Sequence, residues 1–243
     1  MKNPTPEKAK TELSPGGKLR VGVNLGNFLL VNKDPATGVL RGIVPDLAQE
    51  LGRRLSASVE LISYPGAGQV ADAASAGAWD VGFIGAEPQR AAEIAFTLAY
   101  LEIPATYLVP AGSPIRAIED VDRPGIRIAT SARSAYDLYL SRNLKHAQLV
   151  RAEGLPASFD LFVAEKLDVL SGLLPRLTTD LARLPGARIL EGRFTAVQQA
   201  IGTPKSRAAG AAYLREFVAD IKASGLVASL IERHGVKGIS VAL

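Results

Sequence analysis

The 243-residue chain has no cysteine, which excludes disulfides, thiolate metal sites and a cysteine nucleophile and leaves the compartment open. It has only two histidines. His146 and His234 fall at expected helix ends without a second ligand nearby, so neither a metal nor another cofactor is expected. No apolar run reaches the roughly 18 residues of a membrane span. The 28 basic and 24 acidic residues are spread along the chain, so the net charge of +4 forms no Lys/Arg stripe of the kind nucleic acid needs. The glycines of "VNLGNF" and "PGAGQ" lack the G-x-G-x-x-G spacing and the following acid of a phosphate-binding fingerprint. The opening "MKNPTPEKAKTELSPGGK" is polar, holds three prolines and has no h-region, so residues 1–17 read as a flexible leader and not as a signal peptide. An exported chain whose signal had been removed would open the same way.

What is present is ordinary globular material, 47% hydrophobic and 21% charged, enough for one large domain or two of about 100 residues. "KLRVGVN" alternates as a strand, and "GIVPDLAQELGRRL" puts Val44, Leu47, Ala48, Leu51 and Leu55 at helical spacing with Pro45 in the first turn. "VELISY" (strand), "GQVADAASAG" (helix) and "WDVGFIG" (strand) complete a β-α-β-α-β series. A second series starts near residue 125, with "GIRIAT", "SAYDLYLSRNL" capped by Ser131 or Ser134, "AQLVRAE", "PASFDLFVAEK" and "LDVLSG". The halves echo one another, Arg127 standing against Arg20 and Asp168 against Asp80. Alternating strands and helices predict mostly parallel sheets covered by helices, hence two α/β lobes. The extended "LEIPATYLVPAGSPI" and "FTAVQQAIGTPK" predict two crossing strands that act as a hinge beside a cleft. The expected division is 18–109 plus 200–243 for lobe 1 and 110–199 for lobe 2. Trp79 is expected to pack inside lobe 1.

After the strand ending at Gly85, the stretch "GAEPQRAAEIAFT" presents Glu87, Pro88 and Arg90 before an expected amphipathic helix. A guanidinium fork matches a carboxylate bidentately and stays charged at every relevant pH. The bland alternative makes Arg90 a surface residue of a first helical turn, paired with Glu87 or Glu93.

In order and spacing, "GKLRVGV", "GIVPDLAQELGRRL", "AAEIAFTLAY" after an arginine, "ATYLVPAGSPI" and the closing "LREFVADIKASGLVASLIERHGV" resemble the family 3 extracellular solute-binding proteins that deliver polar amino acids to ABC importers. The likeness runs from Lys18 to the C-terminus. It implies a two-lobed, type II periplasmic-binding-protein fold and a non-enzymatic, monomeric protein of the periplasm whose signal peptide has been removed. It further implies a small carboxylate-bearing ligand in the inter-lobe cleft and an ABC permease as partner. Arg90 matches the arginine that receives the ligand's carboxylate, with Gly85 and Ala86 beside it. In lobe 2, the backbone at Ser131, Arg133 and Ser134 would face the same anion; Arg133 is either a second positive grip or turned to solvent. Where amino-acid binders place an acid against the α-ammonium, this chain has Leu173. Either Glu87 meets the ammonium, its alternative being an N-cap carboxylate, or the ligand has none. Asn24 and Asn27 are hydrogen-bonding candidates unless they serve the turn, and Phe28 and Tyr64 are candidate walls unless Phe28 is core. The resemblance also implies an acid in the lobe 1 loop that holds a basic side chain; "NLGNFLL" has none, which argues against lysine or arginine as cargo. The rival reading is an enzyme on the same scaffold, such as a cyclohexadienyl-dehydratase-like lyase, with Glu87 moving protons.

Overall fold

The computed structural model describes residues 6–243. The chain divides into two compact units. Lobe 1 runs to Glu102 and resumes over Gln198–Val236 and Ser240–Leu243; lobe 2 holds Ile103–Val197 and Lys237–Ile239. The switch points thus lie earlier than 109/110 and 199/200.

Lobe 1 contains α1 (Pro6–Leu13), β1 (Lys18–Asn24), the short strands β2 (Asn32–Lys33) and β3 (Leu40–Arg41), and α2 (Ile43–Leu55). It continues with β4 (Ser58–Tyr64), α3 (Ala67–Ser75), β5 (Val81–Gly85), β6 (Ile94–Phe96) and the start of β7 (Leu101–Val109). Lobe 2 adds β8 (Arg127–Ser131), α4 (Ala135–Asn143), β9 (Gln148–Ala152), α5 (Leu155–Ala164), β10 (Val169–Leu173), α6 (Leu174–Leu181) and β11 (Arg188–Ile189). The chain returns to lobe 1 through β12 (Thr195–Pro204) and ends with α7 (Ala208–Ala223), α8 (Leu226–Arg233) and β13 (Ser240–Val241).

The sheet of lobe 1 is ordered β4-β1-β5-β12. β1 is parallel to β4 and β5, whereas β12 runs antiparallel to β5. Every residue of β5 is buried, as expected of a strand covered on both faces. Leu19, Val21 and Val23 of β1 and the apolar stripe of α2 are buried as their spacing requires. Trp79 is buried in this core and donates its indole N–H to the Val70 carbonyl at 2.9 Å. Two glycines make room for it: a Cβ on Gly22 would come within 2.8 Å of its ring, and one on Gly82 within 3.1 Å.

Lobe 2 repeats the scheme with order β7-β10-β8-β9, parallel except for β7. Its two apolar clusters centre on Tyr107, Ile128 and Val169 and on Phe159, Phe162 and Leu170. The echo between the halves is physical. Arg20 N–H donates to the Asp80 carboxylate at 2.9 Å while Asp80 N–H donates to the Arg20 carbonyl at 2.8 Å. Arg127 and Asp168 make the same reciprocal pair at 2.8 and 3.1 Å. Each aspartate ties the entrance of its lobe's third strand to that of the first.

The flexible leader expected over 1–17 is corrected from residue 6 onward; residues 1–5 lie outside the described residues. Helix α1 packs on α7, with Ala9 buried and Leu13 0% exposed. Leu13 occupies the notch left by Gly210, whose absent Cβ would lie 2.6 Å from Leu13 Cδ2. Glu12 Oε2 accepts the Gly210 N–H at 2.8 Å, satisfying a first-turn donor of α7, which has no side-chain cap of its own. Two buried residues four apart are too few to show against five polar neighbours, so the segment reads as loose from sequence.

Candidate functional site

Parallel register gathers the candidate residues of lobe 1 at the C-terminal edge of its sheet. Asn24 ends β1 directly opposite Tyr64 at the end of β4, and Val23 pairs Phe83, two residues before Gly85 closes β5. The turn after β1 is tight: Asn24 Oδ1 accepts the Gly26 N–H at 2.9 Å, and a Cβ on Gly26 would stand 2.8 Å from the Pro65 carbonyl oxygen. Asn24 thus uses its side-chain oxygen in turn chemistry. Asn27 is 6% exposed, and its Oδ1 has no hydrogen-bond partner among the described residues. A buried acceptor left open is costly unless something fills it. Phe28 is half-buried and gives its carbonyl to Asn32 Nδ2.

Beyond β5, Ala86 N–H donates to the Gln198 carbonyl at 2.8 Å, and Glu87, half-buried, accepts the Ala91 N–H on its own carbonyl at 3.0 Å. The amphipathic helix expected here is a single 3-10 turn, Arg90–Ala92, with Gln89 in the N-cap position. The segment then becomes β6, because Ile94–Phe96 pairs antiparallel with Gly202–Pro204 at the end of β12. Arg90 is not a solvent-exposed surface residue. It is 6% exposed, and its guanidinium folds back to donate to the Gly85 carbonyl at 2.6 Å. This bond holds the charged fork at the exit of β5.

The second set lies at the corresponding edge of lobe 2. Ser131 ends β8 opposite Ala152 of β9, and Leu173 ends β10. Ser134, and not Ser131, caps α4: its hydroxyl oxygen accepts the Asp137 N–H at 3.1 Å. Arg133 sits between them in the left-handed region (φ 57°) with an exposed side chain, and its N–H donates to Asp137 Oδ2 at 2.8 Å. That carboxylate is buried and also receives Arg151 Nε at 2.9 Å. Leu173 is buried and occupies the N-cap position of α6 without a side-chain acceptor to offer.

A model of the bacterial extracellular solute-binding proteins, family 3, matches residues 19–237. The chain belongs to that family. No curated protein sequence matches it. Among solved structures, a mutant of ArgBP from T. maritima is 21% identical, with a TM-score of 0.76 over 93% of this chain and 99% of the other. A putative ABC-transporter binding component from Wolinella succinogenes, complexed with lysine, is 21% identical, with a TM-score of 0.75 over 89% and 95%. The ancestral amino acid-binding protein AncCDT-1, described as a precursor of cyclohexadienyl dehydratase, is 20% identical, with a TM-score of 0.73 over 90% and 95%. At such identities these structures speak for the fold, the two-lobed type II periplasmic-binding architecture.

In this family 3 chain, the structure also points to residues that sequence reasoning missed. The Tyr136 hydroxyl, on a side chain only 2% exposed, forms no proper hydrogen bond among the described residues although Ser131 and Ser134 are close. Burial pushes it up to about 12, against the pull of those serines. The neighbouring Thr130 hydroxyl is also buried and without a partner. A tyrosine and a threonine flanking "SARSA" were the only signal, and period-based reading treats both as core.

Proposed function

We propose that this chain is a non-enzymatic binding protein that captures a small polar, carboxylate-bearing solute, an amino acid or a related organic acid, and delivers it to an ABC importer. The exit edge of lobe 1 supplies Arg90 for the carboxylate, with Asn27, Tyr64 and Glu87 around it. Lobe 2 supplies the N-terminus of α4, whose dipole favours an anion, with Ser131 and Ser134 beside it; the turn's own Ala132, Arg133 and Ser134 N–H groups are given to Ala152, Asp137 and Ser131. The observation that carries this reading is the placement of Arg90: a guanidinium withdrawn from solvent and fixed to the backbone at the end of a parallel strand. A charge-assisted bond from it would contribute on the order of 1.5–3 kcal/mol, against about 8 kcal/mol for micromolar affinity. The remainder falls to the other edge residues.

Related structures carry names that speak of arginine and lysine. Here Leu173 stands where an acid would meet an ammonium, which favours ligands that rely on their carboxylate. A thermal-shift panel of amino acids, keto acids and dicarboxylates tests the proposal, since a ligand at about 100 times its dissociation constant adds roughly 2.7 kcal/mol. The absence of any stabilising carboxylate would contradict it. The likeness to a precursor of a dehydratase favours one second reading, catalysis on the same scaffold. Conversion of the stabilising compound, followed by NMR, would establish that reading instead.

A further inference from the structure

A second feature lies wholly within lobe 1, at the opposite end of β5. A cavity of about 270 Å³ opens there between the end of α3, the residue after the 3-10 turn and the β12–α7 turn. The register Gly202↔Gly82 carries Pro204 to the entrance of β5, five strand steps or roughly 17 Å from the level of Gly85. The cavity therefore lies away from the Gly85 carbonyl that holds the Arg90 guanidinium, although Glu93 N–H donates to the Arg90 carbonyl at 3.2 Å.

Its lining has two chemical halves. Lys205, Ser206 and Arg207 supply the positive one. Glu93, directly across from Lys205 where β6 pairs with β12, and the last turn of α3 with Ser75 and Gly77 supply the negative one. Neither the Lys205 ammonium nor the Glu93 carboxylate forms an ion pair or hydrogen bond with another described residue, although their backbones are joined by Lys205 N–H to Glu93 carbonyl at 3.0 Å. Arg207 gives one N–H to Asp80 at 2.6 Å, leaving a guanidinium with further donors on the cavity wall. The Ser75 carbonyl accepts no hydrogen bond among the described residues and lies at the negative end of its helix. A simple anion would be drawn to Lys205 and Arg207 but would meet Glu93. A simple cation would be drawn to Glu93 and the α3 carbonyls but would meet Lys205 and Arg207. A molecule carrying both charges satisfies both halves, and the volume of about 270 Å³ limits its size.

We propose that this cavity binds a small zwitterion, an ammonium-carboxylate of the size of glycine, with its carboxylate toward Lys205 and Arg207 and its ammonium toward Glu93 and the end of α3. The affinity expected of a few exposed charge contacts is a dissociation constant on the order of 1 mM. The test is a ¹H–¹⁵N titration of the full chain with glycine, sodium acetate and methylammonium chloride. Glycine should shift the amides of Ser75, Gly77, Lys205 and Ser206, and the two half-molecules should act about tenfold more weakly. Glu93→Gln and Lys205→Met, both at exposed positions, should each weaken glycine about tenfold. Any glycine response at Gly85 and Ala86 reports the other site separately. Silence at the four amides, an equal response to acetate, or indifference to both variants would overturn the proposal.

Discussion

Replacing Asp80 with asparagine removes the charge that two guanidiniums share. Its carboxylate, 0% exposed, accepts the Arg20 N–H, Nε and NH2 at 2.9, 3.0 and 2.8 Å and Arg207 NH1 at 2.6 Å. Breaking a buried pair by removing one partner costs about 3–5 kcal/mol, because the other charges stay without compensation. Arg20 is a third exposed and can partly rehydrate, so a loss of about 3 kcal/mol is expected. At roughly 2–4 °C per kcal/mol for a chain of this length, the thermal midpoint should fall by about 6–12 °C. The pH dependence supplies an independent check. Burial pushes the Asp80 carboxyl up, but the hydrogen bonds from Arg20 and Arg207 outweigh it and hold the group below its ordinary value. A carboxyl with a lowered folded value contributes stability that is present above the unfolded value, about 3.9, and is lost as pH falls through the folded one. The gap between wild type and Asp80→Asn, measured by thermal melting in circular dichroism, should therefore be full at neutral pH and close in strong acid. A loss under about 1 kcal/mol at neutral pH, the range of a surface pair, would refute the reasoning. So would a gap that stays constant into strong acid.

Two further perturbations test the packing. Leu13→Ala should cost about 2–5 kcal/mol in urea unfolding, since Leu13 fills the Gly210 notch; a loss near zero would mean that α1 is not part of the lobe 1 core. Gly22→Ala should cost about 1–3 kcal/mol by forcing a methyl against Trp79, with a change in tryptophan fluorescence; an unchanged midpoint and spectrum would show that the ring has room.

Several strands and helices were legible because one periodicity dominates them, as in β1 with buried Leu19, Val21 and Val23 or α2 with its single apolar stripe. The Arg20–Asp80 and Arg127–Asp168 echo was legible as spacing, and the reciprocal hydrogen bonds give its cause. Two segments were misread for one shared reason. Both α1 and the stretch after Arg90 take their conformation from a distant partner, α7 for the first and the end of β12 for the second. Local patterning carries no trace of a partner about 100 or 200 residues away, and tertiary context overrides propensity. The site was legible as residue types and not as states. Nothing in the sequence distinguishes Asn24, whose oxygen closes its own turn, from Asn27, whose buried oxygen is open. The unsatisfied hydroxyls of Thr130 and Tyr136 appear only when hydrogen bonds are counted.

Because Arg90 also braces the Gly85 carbonyl, its replacement is expected to lower stability as well as affinity, so a single variant does not isolate the contact. A double cycle does. Wild type and Arg90→Ala would each be titrated calorimetrically with the stabilising carboxylate and with its neutral carboxamide. If Arg90 receives the carboxylate, the amide should bind wild type about 10- to 100-fold more weakly, and the variant should no longer discriminate between the two compounds, a coupling of about 1.5–3 kcal/mol. Equal discrimination by both proteins would contradict the account.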